Sequence, residues 1–220
     1  MADLSNFIPP LPLRMRVMDF NSRCESIHTQ LTWGNRRALL GLSDIAFAIN
    51  APLEYQADDD GADSVFFIDP TPRSRNLGQC GYLIVPEPHI ASTDFQHWSK
   101  QVVRYVRHAA FGCDWPGRNY ADFRQFLAIS RGRQLRFTLL DFDYASPLPL
   151  LHLPNHDFRT LYLLFIDNEL PDLHVICELA EAVEEMNPHL ETMVFGTTIL
   201  PDEPARVMLL GETVASLLLR

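Results

Sequence analysis

The chain has 220 residues, 47% of them hydrophobic and 21% charged, with a formal net charge of −10. That length carries a substantial core, and that composition excludes a chain disordered along most of its length. The acidic balance disfavours a nucleic-acid partner, and the apolar runs are too short to span a bilayer. Cys24, Cys80, Cys113 and Cys177 form no closely spaced pair, so free thiols in a reducing cytoplasm are expected rather than a zinc framework. No basic stretch precedes an apolar run near Met1, so no secretory leader is expected.

In chain order, Pro9, Pro10 and Pro12 predict an extended arm over 1–13. It is either a docking strand for a partner groove or an arm on its own domain. The segment 14–93 reads as α/β. It has apolar positions at Leu31, Leu39, Leu40, Ile45, Phe47 and Ile49, a helix near 36–41 and a strand near 44–50 that Pro52 ends. The acidic stretch 56–63 is a turn with Gly61 supplying its freedom. Strands follow at 64–68 and 80–85, separated by a loop. Residues 94–111 place Phe95, Trp98, Val102, Val103, Tyr105 and Val106 at helical spacing.

The second half has a short helix over 120–129, a strand at 134–142 and an apolar run at 160–166 typical of a central strand. Asp172 caps a helix over 173–186 that Asn187-Pro188 stops. Its expected apolar stripe is Leu173, Ile176, Leu179, Ala180, Val183 and Met186. Its wet face carries Glu178, Glu181, Glu184 and Glu185. Two strands, 192–200 and 205–210, close the chain around a turn at 201–204. The fold class is α/β, a mixed sheet flanked by helices.

Three segments in this order resemble the C-terminal domain of FtsZ, the bacterial tubulin. YADFRQFL at 120–127 is similar to the family's FADVRTVM. ASPLPLLHLPNHDFRTLYLLFI at 145–166 looks like its SPLL segment and following strand. TMVFGTTILPDEPARVMLLGE at 192–212 looks like its closing hairpin, with Gly196, Thr197, Pro201, Asp202, Arg206 and Val207 in step. The resemblance makes 94–220 an FtsZ C-terminal-like domain and 14–93 a degenerate N-terminal segment.

The departures shape the expected function. The family holds GTP on a glycine-rich GGGTGTG loop, whose backbone amides close on phosphate. Only 10 glycines occur here and none cluster, so GTP is not expected to bind in the family's way, and no cofactor is expected. The family's helix after the 134–142 strand is largely deleted, and its C-terminal tail has no counterpart before Arg220. In the family an NxDxxD loop reaches across to the neighbour's nucleotide. Here Asp122 sits at its second acidic position and Asn119 replaces the first, and an amide cannot serve as a base. The resemblance therefore implies a non-catalytic, cytoplasmic bacterial protein that contacts an FtsZ or tubulin-type filament, capping or regulating cell division or segregation. Asn119, Asp122, Glu178, Glu181 and Glu185 are its expected partner residues.

Two alternatives stand beside this reading. His152, His156 and Asp157 could serve a metal-dependent hydrolase, or the chain could be a structural part of a mobile-element or phage assembly. Arg131, Arg133 and Arg136 read as a phosphate or acidic-partner site or a solvated strand entrance. His97, His108 and Cys113 form a reactive group only if the fold gathers them.

Overall fold

The computed structural model describes residues 11–32, 44–59, 61–86, 94–111, 120–130, 133–144 and 157–214. Among them are nine strands and three α-helices, in two compact units split between Leu83 and Ile84. Pairing is both parallel and antiparallel, so the α/β class with mixed pairing holds.

In the N-terminal unit the strand order is β2-β1-β3-β4-β5, with β1 Leu11–Asp19, β2 Cys24–Thr32, β3 Ile45–Ile49, β4 Ser64–Ile68 and β5 Gly81–Ile84. β1, β3 and β4 run parallel, so Asp19, Ile49 and Ile68 end in line. All five residues of β3 and of β4 are buried, as expected where both faces of a parallel strand are covered. The β1–β2 hairpin is a correction, because the sequence reading placed no element over 14–35. Its turn is local chemistry. Asp19 accepts hydrogen bonds from the Asn21 and Ser22 amides and the Ser22 hydroxyl, and Arg23 takes a positive φ of 53°. Pro12 lies ahead of the stretch that β3 pairs, which begins at Met15, a position where a strand tolerates proline. Thus 11–13 of the expected arm belong to β1. Residues 1–10 and the helix expected near 36–41 lie outside the described residues.

In the C-terminal unit the order is β6-β9-β7-β8, with β6 Gln134–Asp141, β7 Phe158–Asp167, β8 Thr192–Ile199 and β9 Arg206–Thr213. The helices α1 Phe95–Phe111, α2 Tyr120–Ile129 and α3 Leu173–Met186 fall where periodicity placed them. Every residue of β7 is buried, and its alternation serves two faces. Leu161, Leu163 and Phe165 pack with Leu179 and Val183 of α3. Tyr162 points the other way, against Phe123 and Phe126 of α2, and its hydroxyl donates to the Ala109 carbonyl of α1 at 3.1 Å.

Two expectations fail here. β8 and β9 do not form a hairpin. β7 lies between them, parallel to β8 and antiparallel to β9, so the 201–204 turn carries the chain past the end of β7. The α3 stripe is also rotated: Ile176, Leu179 and Val183 are buried and Val175 and Ala182 pack partly, but Leu173 and Met186 are 56% and 37% exposed. The N-cap is as expected, with Asp172 accepting from the His174 amide at 2.9 Å. At the other end the buried Asn187 accepts from the Phe158 amide and donates to the Val183 carbonyl, tying α3 to the start of β7.

Candidate partner-contact surface

Asp122 lies in the first turn of α2, half-buried. The helix is seated by Tyr120, Phe123, Phe126 and Leu127, all buried. Ser130 at its end shares a 3.1 Å hydrogen bond with Thr160 near the start of β7. Since Phe123 and Phe126 abut Tyr162 further along, the α2 N-terminus points towards the carboxyl end of β7. A carboxylate there also suits the helix dipole, which is a sufficient structural reason for it. Asn119 lies outside the described residues.

Glu178, Glu181 and Glu185 are exposed on α3, and Glu178 meets His174 at 3.2 Å one turn away. The structure does not gather them with Asp122. The alternation of β7 puts α2 on one face of the sheet and α3 on the other. Because α3 runs back towards the start of β7, Glu185 lies roughly 18 Å along its axis from Leu173. The expected partner residues therefore form two separate surfaces.

Polar groups that periodicity does not reveal cluster at the carboxyl end of β7. The Arg206 guanidinium donates to Asp141 at 3.0 Å, to the Tyr105 hydroxyl at 3.0 Å and to Glu203 at 3.2 Å, and Tyr105 in turn donates to Glu203. This network pins the 201–204 turn to α1. The Tyr144 hydroxyl donates to Asp167, and burial, then that bond, hold its pKa above the usual tyrosine value. At the opposite end of β7, Arg159 bridges Glu212, fully buried, and Glu191. Apart from Arg206–Glu203, three residues apart, these contacts join groups far apart in sequence, so no local motif announces them.

In the N-terminal unit the carboxyl ends of β3 and β4, where open α/β sheets generally receive ligands, are occupied by an internal ion pair. Arg75 donates to Asp69 through Nε at 2.8 Å and Nη2 at 3.0 Å, to the Pro52 carbonyl at 2.9 Å and to the Ala51 carbonyl. Its guanidinium lies 4.6 Å from the Phe67 ring centroid. The side chains are 1% and 0% exposed. Asn50, at φ 48°, turns the chain out of β3 while its amide donates to the Ile68 carbonyl. In the sequence, the stretch that carries Arg75 is marked only as a loop between two strands.

The remaining candidates do not assemble. His97 and His108 stand on one helix roughly 16 Å apart along its axis, too far to act on one atom, and Cys113 is outside the described residues. His152, His156 and Arg131 are outside them too. Asp157 lies 3.7 Å from His189. No three His, Cys, Asp or Glu side chains among the described residues are grouped to hold a metal. Arg133 has φ 55° at the entrance to β6, and Arg136 is a strand residue opposite Gly211.

No protein-family model matches the sequence, and no curated protein matches it. Solved structures do match the fold. An empty FtsZ dimer from M. jannaschii aligns with TM-score 0.56 at 14% identity, over 82% of this chain and 66% of that one. CetZ from Methanosaeta thermophila aligns with TM-score 0.51 at 12% identity, over 82% and 64%. GDP-form protofilaments of TubZ from Bacillus thuringiensis serovar israelensis give 0.51 at 9% identity, over 77% and 61%. The chain thus spans about two-thirds of the length of these structures. Likeness at such low identity concerns the fold alone, and that fold is of the FtsZ/tubulin type.

Proposed function

We propose that this chain acts by protein–protein contact rather than by nucleotide hydrolysis, joining one end of an FtsZ or tubulin-type filament and capping or regulating it. The Arg75–Asp69 pair carries the reading. The strand ends that would face a nucleotide are filled by a guanidinium whose donors are spent on a carboxylate and two carbonyls. The 220 residues contain no glycine cluster to offer amides to phosphate. In the C-terminal unit, packing against β7 seats α2 and α3, the helices that carry Asp122 and the α3 glutamates. A subunit with one contact face and no nucleotide makes a heterologous interface that does not propagate. The contact belongs to the α2 N-terminus, with Asp122 and the preceding Asn119. Glu178, Glu181 and Glu185 on α3 form a second acidic surface. In this reading the protein works in the bacterial cytoplasm.

Co-sedimentation with polymerised FtsZ tests the proposal, with GTP turnover measured on the same samples. The chain should pellet with polymer and lower turnover at substoichiometric ratios, and Asp122→Ala should weaken both effects without shifting its own melting. Turnover and filament length unchanged by wild-type protein would refute it. So would saturable GTP binding in calorimetry.

A further inference from the structure

Single exposed apolar residues are ordinary, but in the C-terminal unit four large ones are tied to one strand end by a hydrogen bond, by strand register or by the chain that leaves it. Tyr144 is 50% exposed, Leu170 51%, Leu173 56% and Ile199 37%. Asp167 joins them: Tyr144 is hydrogen-bonded to it, Ile199 is its register partner on β8, and Leu170 and Leu173 follow it in the chain. The Tyr144 ring is braced edge-on against Phe142 at 5.2 Å and Phe165 at 6.4 Å. It is therefore held in place while half of it faces outwards. Leu173 opens α3 and Leu170 sits in the preceding loop, where a polar residue would serve the fold as well.

The surroundings are acidic. Asp141, Asp143, Glu169 and Asp202 are exposed at this end, and Asp141 has 87% of its side chain open. The cations there are already engaged: Arg206 by Asp141 and Glu203, the half-exposed Arg104 by Glu203, and the His174 imidazole by Glu178. An apolar centre with an acidic rim is complementary to apolar anchors flanked by cations. A second copy of this chain is a poor fit, because its net charge of −10 brings like charge to the rim.

We infer that the Tyr144–Leu170–Leu173–Ile199 surface docks a basic amphipathic helix of a partner protein, whose apolar stripe covers the four side chains while Lys or Arg flanks meet the rim. The inference rests on the partner-contact reading and adds the partner's chemistry. The probe is a fluorescein-labelled peptide of about 18 residues with leucines on one face and lysines on the other, and a control carrying glutamate for lysine. Anisotropy with the full chain should show saturable binding of the lysine peptide, weakened by salt, and none of the control. Leu170→Ser/Leu173→Ser should weaken binding about ten-fold or more, and Glu169→Arg should weaken it as well. Far-UV circular dichroism of both variants should be unchanged. Glu181→Arg/Glu185→Arg, on the distant part of α3, should bind like wild type. Equal binding by the Leu→Ser variant, equal weakening by the distant charge reversal, or no saturable binding of the lysine peptide each overturns the assignment. Co-sedimentation with filaments that persists in the Leu→Ser variant would overturn this surface while leaving the filament reading in place.

Discussion

Replacing Arg75 by Met removes the guanidinium and keeps most of the aliphatic volume. Asp69, fully buried, loses both charge-assisted bonds, the carbonyls of Ala51 and Pro52 lose their donor, and Phe67 loses its stacked cation. Breaking one partner of a buried pair typically costs about 3–5 kcal/mol, because the remaining charge is stranded. Arg75→Met should therefore lose about that much. Arg75→Lys should recover little, since one ammonium cannot reproduce the planar fork. The double variant Arg75→Met/Asp69→Leu should lose less than Arg75→Met alone, because no buried charge is left unpaired. Urea unfolding gives the global value. With two compact units a single transition is not assured, so hydrogen exchange of the β3 and β4 amides should be read alongside it. A loss below about 1 kcal/mol for Arg75→Met, with β3 and β4 protection unchanged, would refute the clamp.

The rotated stripe of α3 predicts a contrast: Leu179→Ala, at 1% exposure, should cost about 2–5 kcal/mol, while Leu173→Ala should stay within about 0.5 kcal/mol. Equal melting shifts for the two would restore the original stripe. The raised pKa of Tyr144 predicts alkaline sensitivity. Above its ordinary value of 10.0 the unfolded chain gives up the proton while the folded one keeps it. The unfolded state then binds fewer protons, so this contribution is present below about pH 10 and fades as pH rises beyond it. Tyr144→Phe should show a smaller fall in melting temperature between about pH 9 and about pH 11 than wild type. An identical fall in both would sink the assignment.

How much was legible varied with the range of the interaction. The helices at 95–111, 120–129 and 173–186 write a period near 3.6 into adjacent residues, and the Asp172 cap and the Asn187-Pro188 stop are equally local. The β7 run announces burial on both faces by its composition alone. The β1–β2 hairpin is hidden because its prolines read as an arm. β1 does alternate, with Leu11, Leu13, Met15 and Val17 on one side, but β2, CESIHTQLT, shows no such period to pair with it. The Arg75 loop looked like an ordinary connection, since nothing local marks which of its arginines meets a buried carboxylate.

The sequence by itself determined the α/β class, the order of elements in the second half, and the want of a glycine cluster, because each is set by residues within a few positions of one another. Only the tertiary structure decided that β7 lies between β8 and β9, and that Asp122 and the α3 glutamates occupy opposite faces. It also decided that Arg75 is buried on Asp69 and that Tyr144 is bonded to Asp167, beside Ile199 in register on β8. Strand order and side-chain convergence are settled by pairing and packing between residues distant in the chain. That free energy belongs to the assembled sheet, and no window of sequence contains it.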